Sequence, residues 1–411
     1  MRIIVIGAGV VGVTTAWYLQ KDGHDVTVVE RNSAPALETS FANAGGICPG
    51  FAGPWAAPGM PLKALRWLFQ DTAPLKIRPQ LDLAQWAWLA KFTANCTKAR
   101  FDRNKARMQA MAHYAKACLD QITEETGIEY DAAQKGILHL FTTESEMTLG
   151  HRSAKVLSDL GIAHRLLSSD EIAAVEPALG QGNETFTGGI HLTEDATGDC
   201  RLFTDRLADL ARKRGARFHF DTSATRLTVA DGQVTGLETT ADRFEADAYV
   251  VAAGPFSRAL LASAGISVPL YPVKGYSLTC PISDSSAAPV SSIMDEHSKI
   301  MITRLGTRLR VAGMAELEGF NANIGQPART FMLDRLKTLF PAAAQYEQAD
   351  WWCGFRPMTP DGAVRLGQSG LSNLFLNVGH GSNGWTQACG TSKVLSDLIA
   401  GRPPELAWHH H

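Results

Sequence analysis

Gly7, Gly9 and Gly12 form G-x-G-x-x-G between the apolar run Ile3 to Ile6 and a stretch from Val13 to Lys21 that has helical character and stops at Gly23. That spacing suits phosphate chemistry. Gly7 permits a tight turn, Gly9 lets a pyrophosphate approach the backbone, and Gly12 lets the helix lie close on the strand. The free N–H groups at the start of the helix, around Val10 and Val11, then face a diphosphate. The next strand, "DVTVVE", ends at Glu30, about twenty residues beyond the turn, where a carboxylate accepts from ribose hydroxyls and repels a 2′-phosphate. Arg31 follows at the same rim. These residues indicate a dinucleotide and leave FAD against NAD open.

A second glycine-rich run, "GHGSNGWTQACG", enters another helix near Gly384 to Thr386. Its free N–H groups could stabilise the negative charge that gathers at N1 and the C2 carbonyl of a flavin when it accepts a hydride. Gly381, Ser382, Asn383, Gly384, Trp385 and Thr386 are the candidate residues, and the run favours FAD. The competing explanation is a glycine-rich cap on an ordinary C-terminal helix. His380 sits in this run without a visible carboxylate partner and is expected to pack or bond to backbone, so no side-chain base is assigned.

Two further stretches allow backbone to pass close to a ring. "LETSFANAGGICPGFAGPWAAPGMP" follows the ribose-reading strand, and its small residues around Ser40, Ala44, Gly45 and Gly46 permit close approach; a surface loop packed on the core is the alternative. "AYVVAAG" is a buried strand ending at Ala253 and Gly254 before Pro255.

The elements that must position these residues belong to a 411-residue chain with 45% hydrophobic residues, enough for two domains or one elaborate one. Lys plus Arg total 39 against 41 Asp plus Glu, which gives no electrostatic reason to expect nucleic acid. Seven widely spaced cysteines without C-x-x-C suggest reduced thiols in a cytoplasmic protein, and no metal site is expected. "MRIIVIGAG" passes straight into a strand, so no signal peptide is expected, and no segment has ~18 uninterrupted apolar residues. His409 to His411 look like a tag remnant.

Helical spacing of Met108, Met111, Ala115, Leu119 and Ile122 predicts a helix over 104–126, and a strand-rich region follows over 271–317. Trp67, Phe69, Trp86, Trp88 and Phe92, interspersed with Lys and Arg, suit core packing, a substrate-access surface or a membrane surface. The expected fold class is α/β: a Rossmann-like FAD-binding domain assembled from separated segments (1–50, 198–262 and 349–408), with an inserted α+β substrate-binding cap (51–197 and 263–348) built on an antiparallel sheet.

"VIGAGVVGVTTAWYL", "TGDCRLFT", "YPVKGYSLT", "MITRLGTRLRVAGMAE", "GFRPMTPDG" and "GHGSNGWTQACG", with the 38–67 stretch, together resemble the FAD-dependent D-amino acid dehydrogenases (small-subunit type), within the larger D-amino acid oxidase and glycine oxidase fold family. The resemblance runs from residue 1 to about 401. It implies non-covalent FAD, oxidation of a D-amino acid (D-proline or a hydroxyproline included) at Cα to an imine that hydrolyses to a 2-oxo acid and ammonia, and transfer of electrons to a quinone or other respiratory acceptor; since quinones reside in the bilayer, peripheral contact at the cytoplasmic membrane stays open beside a cytoplasmic location. Such chemistry holds the substrate Cα–H at ~3–3.5 Å from flavin N5. By the same resemblance, Arg356 is the carboxylate anchor, gripping through two N–H bonds, the alternative being a structural ion pair with Asp361 or Asp350. Met301 stands where related oxidases carry a tyrosine, so Tyr276 is the expected substitute second anchor, with Thr303 on the face of Met301, and with Gly46 and Ser382 also near substrate and Gly354 near the cofactor. The alternatives are an oxygen-using oxidase of glycine or sarcosine type, and a flavin-binding subunit without amine chemistry.

Overall fold

The computed structural model describes residues 1–67 and 74–407; Phe69 and the three terminal histidines lie outside that range. Strand β1 (Arg2–Ile6), helix α1 (Val10–Lys21) and strand β2 (Asp25–Val29) form the opening unit, with Ile3 to Ile6 buried. β1 pairs in parallel with β2 and with Ala248–Val251, and the sheet extends to Arg217–His219 on one side and Leu374–Val378 on the other. Arg365–Gln368 closes that edge antiparallel, giving six strands. Strands drawn from four distant parts of the sequence thus share one sheet, as a parallel arrangement with crossovers requires.

One face of this sheet is covered by α1, Cys200–Lys213 and the C-terminal helix Gly384–Ile399, whose buried side chains form a common core. Gly390 lets the C-terminal helix approach Lys98–Thr126, since a Cβ there would lie 2.8 Å from Ala115 Cα. This last helix begins six residues before its expected start. The other face carries the small antiparallel sheet Ala224–Ala230, Gln233–Thr239 and Arg243–Phe244.

A nine-stranded sheet makes the second layer, in the order Asp350–Met358, Tyr271–Pro281, Arg308–Leu317, Ile300–Leu305, Ser292–Asp295, Ile137–Phe141, Gly188–Leu192, Arg165–Ser168, with Leu75–Ile77 beside Arg308–Leu317. The expected antiparallel sheet is mixed: Ile137–Phe141 pairs in parallel with Ser292–Asp295, and Leu75–Ile77 in parallel with Arg308–Leu317, because both short strands arrive from distant segments. Asp350–Met358 joins this sheet through Tyr271–Pro281, so the boundary expected at 349 assigned it to the wrong layer. Helix Gln326–Leu339 packs on one face through Met332, Leu336 and Leu339. The opposite face looks across the interlayer space.

Trp88 and Phe92 stack at 5.1 Å and bury with Tyr271, whereas Trp86 is half exposed. Among the described residues no helix is long and apolar enough to cross a membrane.

Candidate active site

A cavity of about 1290 Å³ lies between the two layers, beyond the ~300–1,000 Å³ of an ordinary small-molecule site. Gly7, Gly9, Val10, Val11, Glu30, Arg31, Ser40, Ala44 to Gly46, Ala253, Gly254, Gly354 and Gly381 to Thr386 all line it. Gly12 does not, and its part is packing: a Cβ there would fall 1.8 Å from Gly7 O, between helix and strand. Gly7 has φ +106°, and a Cβ on it would lie 2.7 Å from Ala252 O.

The rim of the turn is pre-ordered. Ser40 Oγ accepts from Val10 N at 3.0 Å, pinning the following loop to the start of α1. Glu30 is buried and accepts from Ala8 N at 2.7 Å and Asn32 N at 2.9 Å. Arg31 lies 3.6 Å over the Phe256 ring and pairs with Glu38.

At the other end, Trp385 and Thr386 contribute backbone more than side chain. The indole donates to Gly198 O at 3.2 Å within the core, and Thr386 Oγ1 accepts from Cys48 N at 3.1 Å. What remains toward the cavity is the helix start, whose first N–H groups have no partner inside the helix. His380 is buried and bonds Thr391 Oγ1 at 3.0 Å, and burial pushes its pKa down to about 4. It stays neutral at physiological pH, and among the described residues it bonds no carboxylate.

Strand register fixes which side chains form the second layer's share of the cavity. Trp352, Ser277, Ala312, Met301, Met294, His139 and Ile190 lie opposite one another across successive strands, so they share one face. Arg356 and Gly354 share it by alternation with Trp352. The Arg356 guanidinium donates from Nη1 to Lys274 O at 3.2 Å and Met314 O at 3.1 Å. Among the described residues it has no ion-pair partner: Asp361 pairs with Arg365 at 2.9 Å instead. Burial lowers its pKa to about 10 without neutralising it. It therefore presents an unmatched positive charge and spare donors to the cavity.

Two expected substrate contacts are corrected. Tyr276 pairs in register with Cys353, on the face opposite Arg356, and its ring packs with Leu278 and Ile300 near Lys274, which pairs with Glu316 and Glu318. Only its backbone can border the cavity. Thr303 does point to the face of Met301, but the loop at Gly45 covers it and its hydroxyl bonds Ser292 Oγ at 2.7 Å. Met301 itself lines the cavity, and Gly46 lies so close that a Cβ would be 2.5 Å from Met301 Cε.

Other residues lining the cavity were missed. Gly275 vacates the space that the Arg356 guanidinium fills, and a glycine inside a strand is a signal of such close approach. His139, bonded through Nδ1 to Glu296 at 2.7 Å, left no signal, since a lone histidine in "GILHLF" reads as core.

The family model described as DAO, FAD dependent oxidoreductase, matches residues 2–398. The chain belongs to the DAO family. Its relatives include proteins named D-amino acid dehydrogenase from Cereibacter sphaeroides, 51% identical over 99% of this chain and 93% of the relative, and from Agrobacterium fabrum, 47% identical over 100% and 98%. Among solved structures, glycine oxidase from Geobacillus kaustophilus aligns with a TM-score of 0.75 at 22% identity, covering 100% of this chain and 99% of that one. L-Proline dehydrogenase from P. horikoshii aligns at 0.72 and 18%, covering 98% and 94%. These likenesses establish the DAO fold and an FAD-dependent oxidoreductase.

The cavity fits that cofactor. A Cβ on Gly254 would meet no atom within 4 Å and one on Gly384 only His380 Cβ at 3.6 Å, so both glycines leave room beside the cavity they line. The turn at Gly7 to Gly12 suits the diphosphate, and the two helix starts suit charge at each end of an extended molecule.

Proposed function

We propose that the protein is a D-amino acid dehydrogenase with non-covalent FAD, oxidising the amine-bearing Cα to an imine and passing electrons to a quinone or another respiratory carrier. The observation that carries this reading is the unpaired Arg356 guanidinium inside an FAD cavity. Bound FAD supplies the hydride acceptor. Arg356 holds the substrate carboxylate through a two-pronged charge-assisted contact, fixing where Cα lies as well as binding it. Met301 and Gly46 shape the wall beside that position, and Trp55, 5.8 Å from the guanidinium, helps exclude water. With burial lowering its pKa, His380 is not assigned as a base, and hydride transfer needs none when the substrate amine arrives neutral. Ring amines such as D-proline and hydroxyproline present the same carboxylate to the same anchor.

Support for a dehydrogenase over an oxidase comes from the named relatives, about half identical over nearly the whole chain. Stopped-flow mixing of the amino-acid-reduced protein with air and, separately, with a short-chain quinone tests it. Faster reoxidation by the quinone supports the proposal, and rapid reaction with air to give peroxide contradicts it.

The exposed apolar residues Leu62, Leu65, Leu81, Leu83 and Trp86, with Lys63 and Arg66 among them, support peripheral contact with a bilayer. Flotation with anionic liposomes checks that contact; protein left in the bottom fraction would refute it.

A further inference from the structure

The cavity continues past Met301 into a lobe that a substrate held at Arg356 leaves empty. Arg356 Nη1 reaches the carbonyl of Met314 on the strand Arg308–Leu317. From there to Ile137–Phe141 the sheet takes three strand spacings, roughly 14 Å at ~4.8 Å each. That exceeds the reach of an ordinary amino acid side chain, and Met301 and Met294 stand in between.

The lobe is lined by Phe51, Phe141, Leu157, Ile190, Leu192 and Met294, with His139 among them. The His139 ring lies 4.7 Å from that of Phe51, tilted by 47°, and directs Nδ1 at Glu296. Glu296 is paired also with Lys299; burial works against its charge, but the hydrogen bond with His139 and the Lys299 cation hold it ionised, with its pKa at about 2. With Nδ1 directed at that carboxylate, Nε2 is the ring nitrogen left for a ligand. Nε2 has no hydrogen-bond partner among the described residues. The lobe's lip on helix Glu144–Asp159 carries two exposed apolar residues, Leu149 and Val156, 54% and 42% accessible, with Arg152 and Ser153 between them, all four lining the cavity.

We propose that this lobe is the electron-acceptor site, taking a quinone with an apolar substituent, one carbonyl oxygen on His139 Nε2 and the substituent leaving between Leu149 and Val156. The proposal rests on the dehydrogenase reading above. Oxidation of the amino acid to the imino acid releases two electrons and two protons, and reduction of quinone to quinol consumes both. His139 passes a proton from Nε2 to the bound carbonyl oxygen and regains one from solvent, solvent supplies the proton for the second oxygen, and the two protons released by the amino acid balance them. A polar donor among the apolar side chains of this lobe suits a flat molecule with hydrogen-bond acceptors at its ends.

The test uses the FAD-loaded protein, with decyl-benzoquinone as probe and ferricyanide as a small polar control acceptor. Leu149→Asp with Val156→Asp places charge at an exposed lip without disturbing the core, and His139→Asn removes the proton donor. We expect quinone reoxidation to slow at least about tenfold in both variants, while ferricyanide reoxidation and anaerobic bleaching by D-alanine stay within about twofold. Calorimetric binding of the quinone to the oxidised protein should weaken at least about tenfold in the lip variant. Unchanged quinone binding and reoxidation overturn the proposal, as does a parallel loss of bleaching, which would make the lobe a substrate side-chain pocket. Should no amino acid bleach the wild-type flavin, the dehydrogenase reading fails by itself, and the calorimetric comparison still decides the lobe.

Discussion

A Cβ on Gly275 would sit 2.3 Å from Nη1 of Arg356, so a missing side chain on one strand makes room for the cation carried by the next. Gly275→Ala is compatible with the strand but forces the guanidinium to shift. The substitution should raise KM for the amino acid about tenfold, equivalent to ~1.4 kcal/mol, with a smaller effect on kcat. Steady-state kinetics decide; an unchanged KM would show that the guanidinium position does not matter.

Arg356→Ala should lower kcat/KM at least about 100-fold, since removing one partner of a desolvated charge pair costs roughly 2–5 kcal/mol. Arg356→Lys should recover only part of the loss, because a point charge cannot reproduce a planar two-pronged grip. Equal activity of the lysine variant and wild type would contradict the geometry, though not the charge.

How legible these features were depends on whether their chemistry is local. The Gly7 to Gly12 turn, its helix and Glu30 are consecutive in the chain, and their backbone needs can be read directly. So could the second helix start at Gly384. Tyr276 was misplaced because alternation tells which residues share a face and not which face meets the cavity; register with Cys353 settles that, across 77 positions of sequence that carry no such mark. Asp350–Met358 was assigned to the wrong layer for the same reason, its partner strand lying far upstream. His139 and Glu296 are 157 residues apart and become a pair only through the parallel pairing of their strands.

Gly12→Ala should yield protein that folds but purifies with little flavin, because the new Cβ would fall 1.8 Å from Gly7 O and force α1 away from the turn. The ratio of flavin to protein absorbance measures it, with circular dichroism as the folding control. Full flavin content would show that the helix tolerates the shift.

Asp195 is buried, accepts from Gly50 N at 2.9 Å through Oδ1, and has no partner for Oδ2 among the described residues. Burial raises its pKa to about 7. With the folded value above the unfolded one, its contribution to stability is complete below the unfolded value and is lost as pH rises through about 7. Between those limits the loss is at most about 1.4 kcal/mol per pH unit. Asp195→Asn removes that dependence, so the stability difference between variant and wild type should shift in favour of Asn from pH 5 to pH 7.5. Denaturant midpoints at the two pH values check this, and a pH-independent difference would refute it.

The central claim is that an amino acid anchored by Arg356 reduces the bound FAD. Anaerobic absorbance of the purified protein, followed at the flavin band while paired D- and L-amino acids are added, tests it most directly. Bleaching by D-alanine or D-proline, slow or absent with their L-counterparts and abolished in Arg356→Ala, is the expected result. A flavin that no amino acid bleaches, or that bleaches equally well without Arg356, would contradict the account.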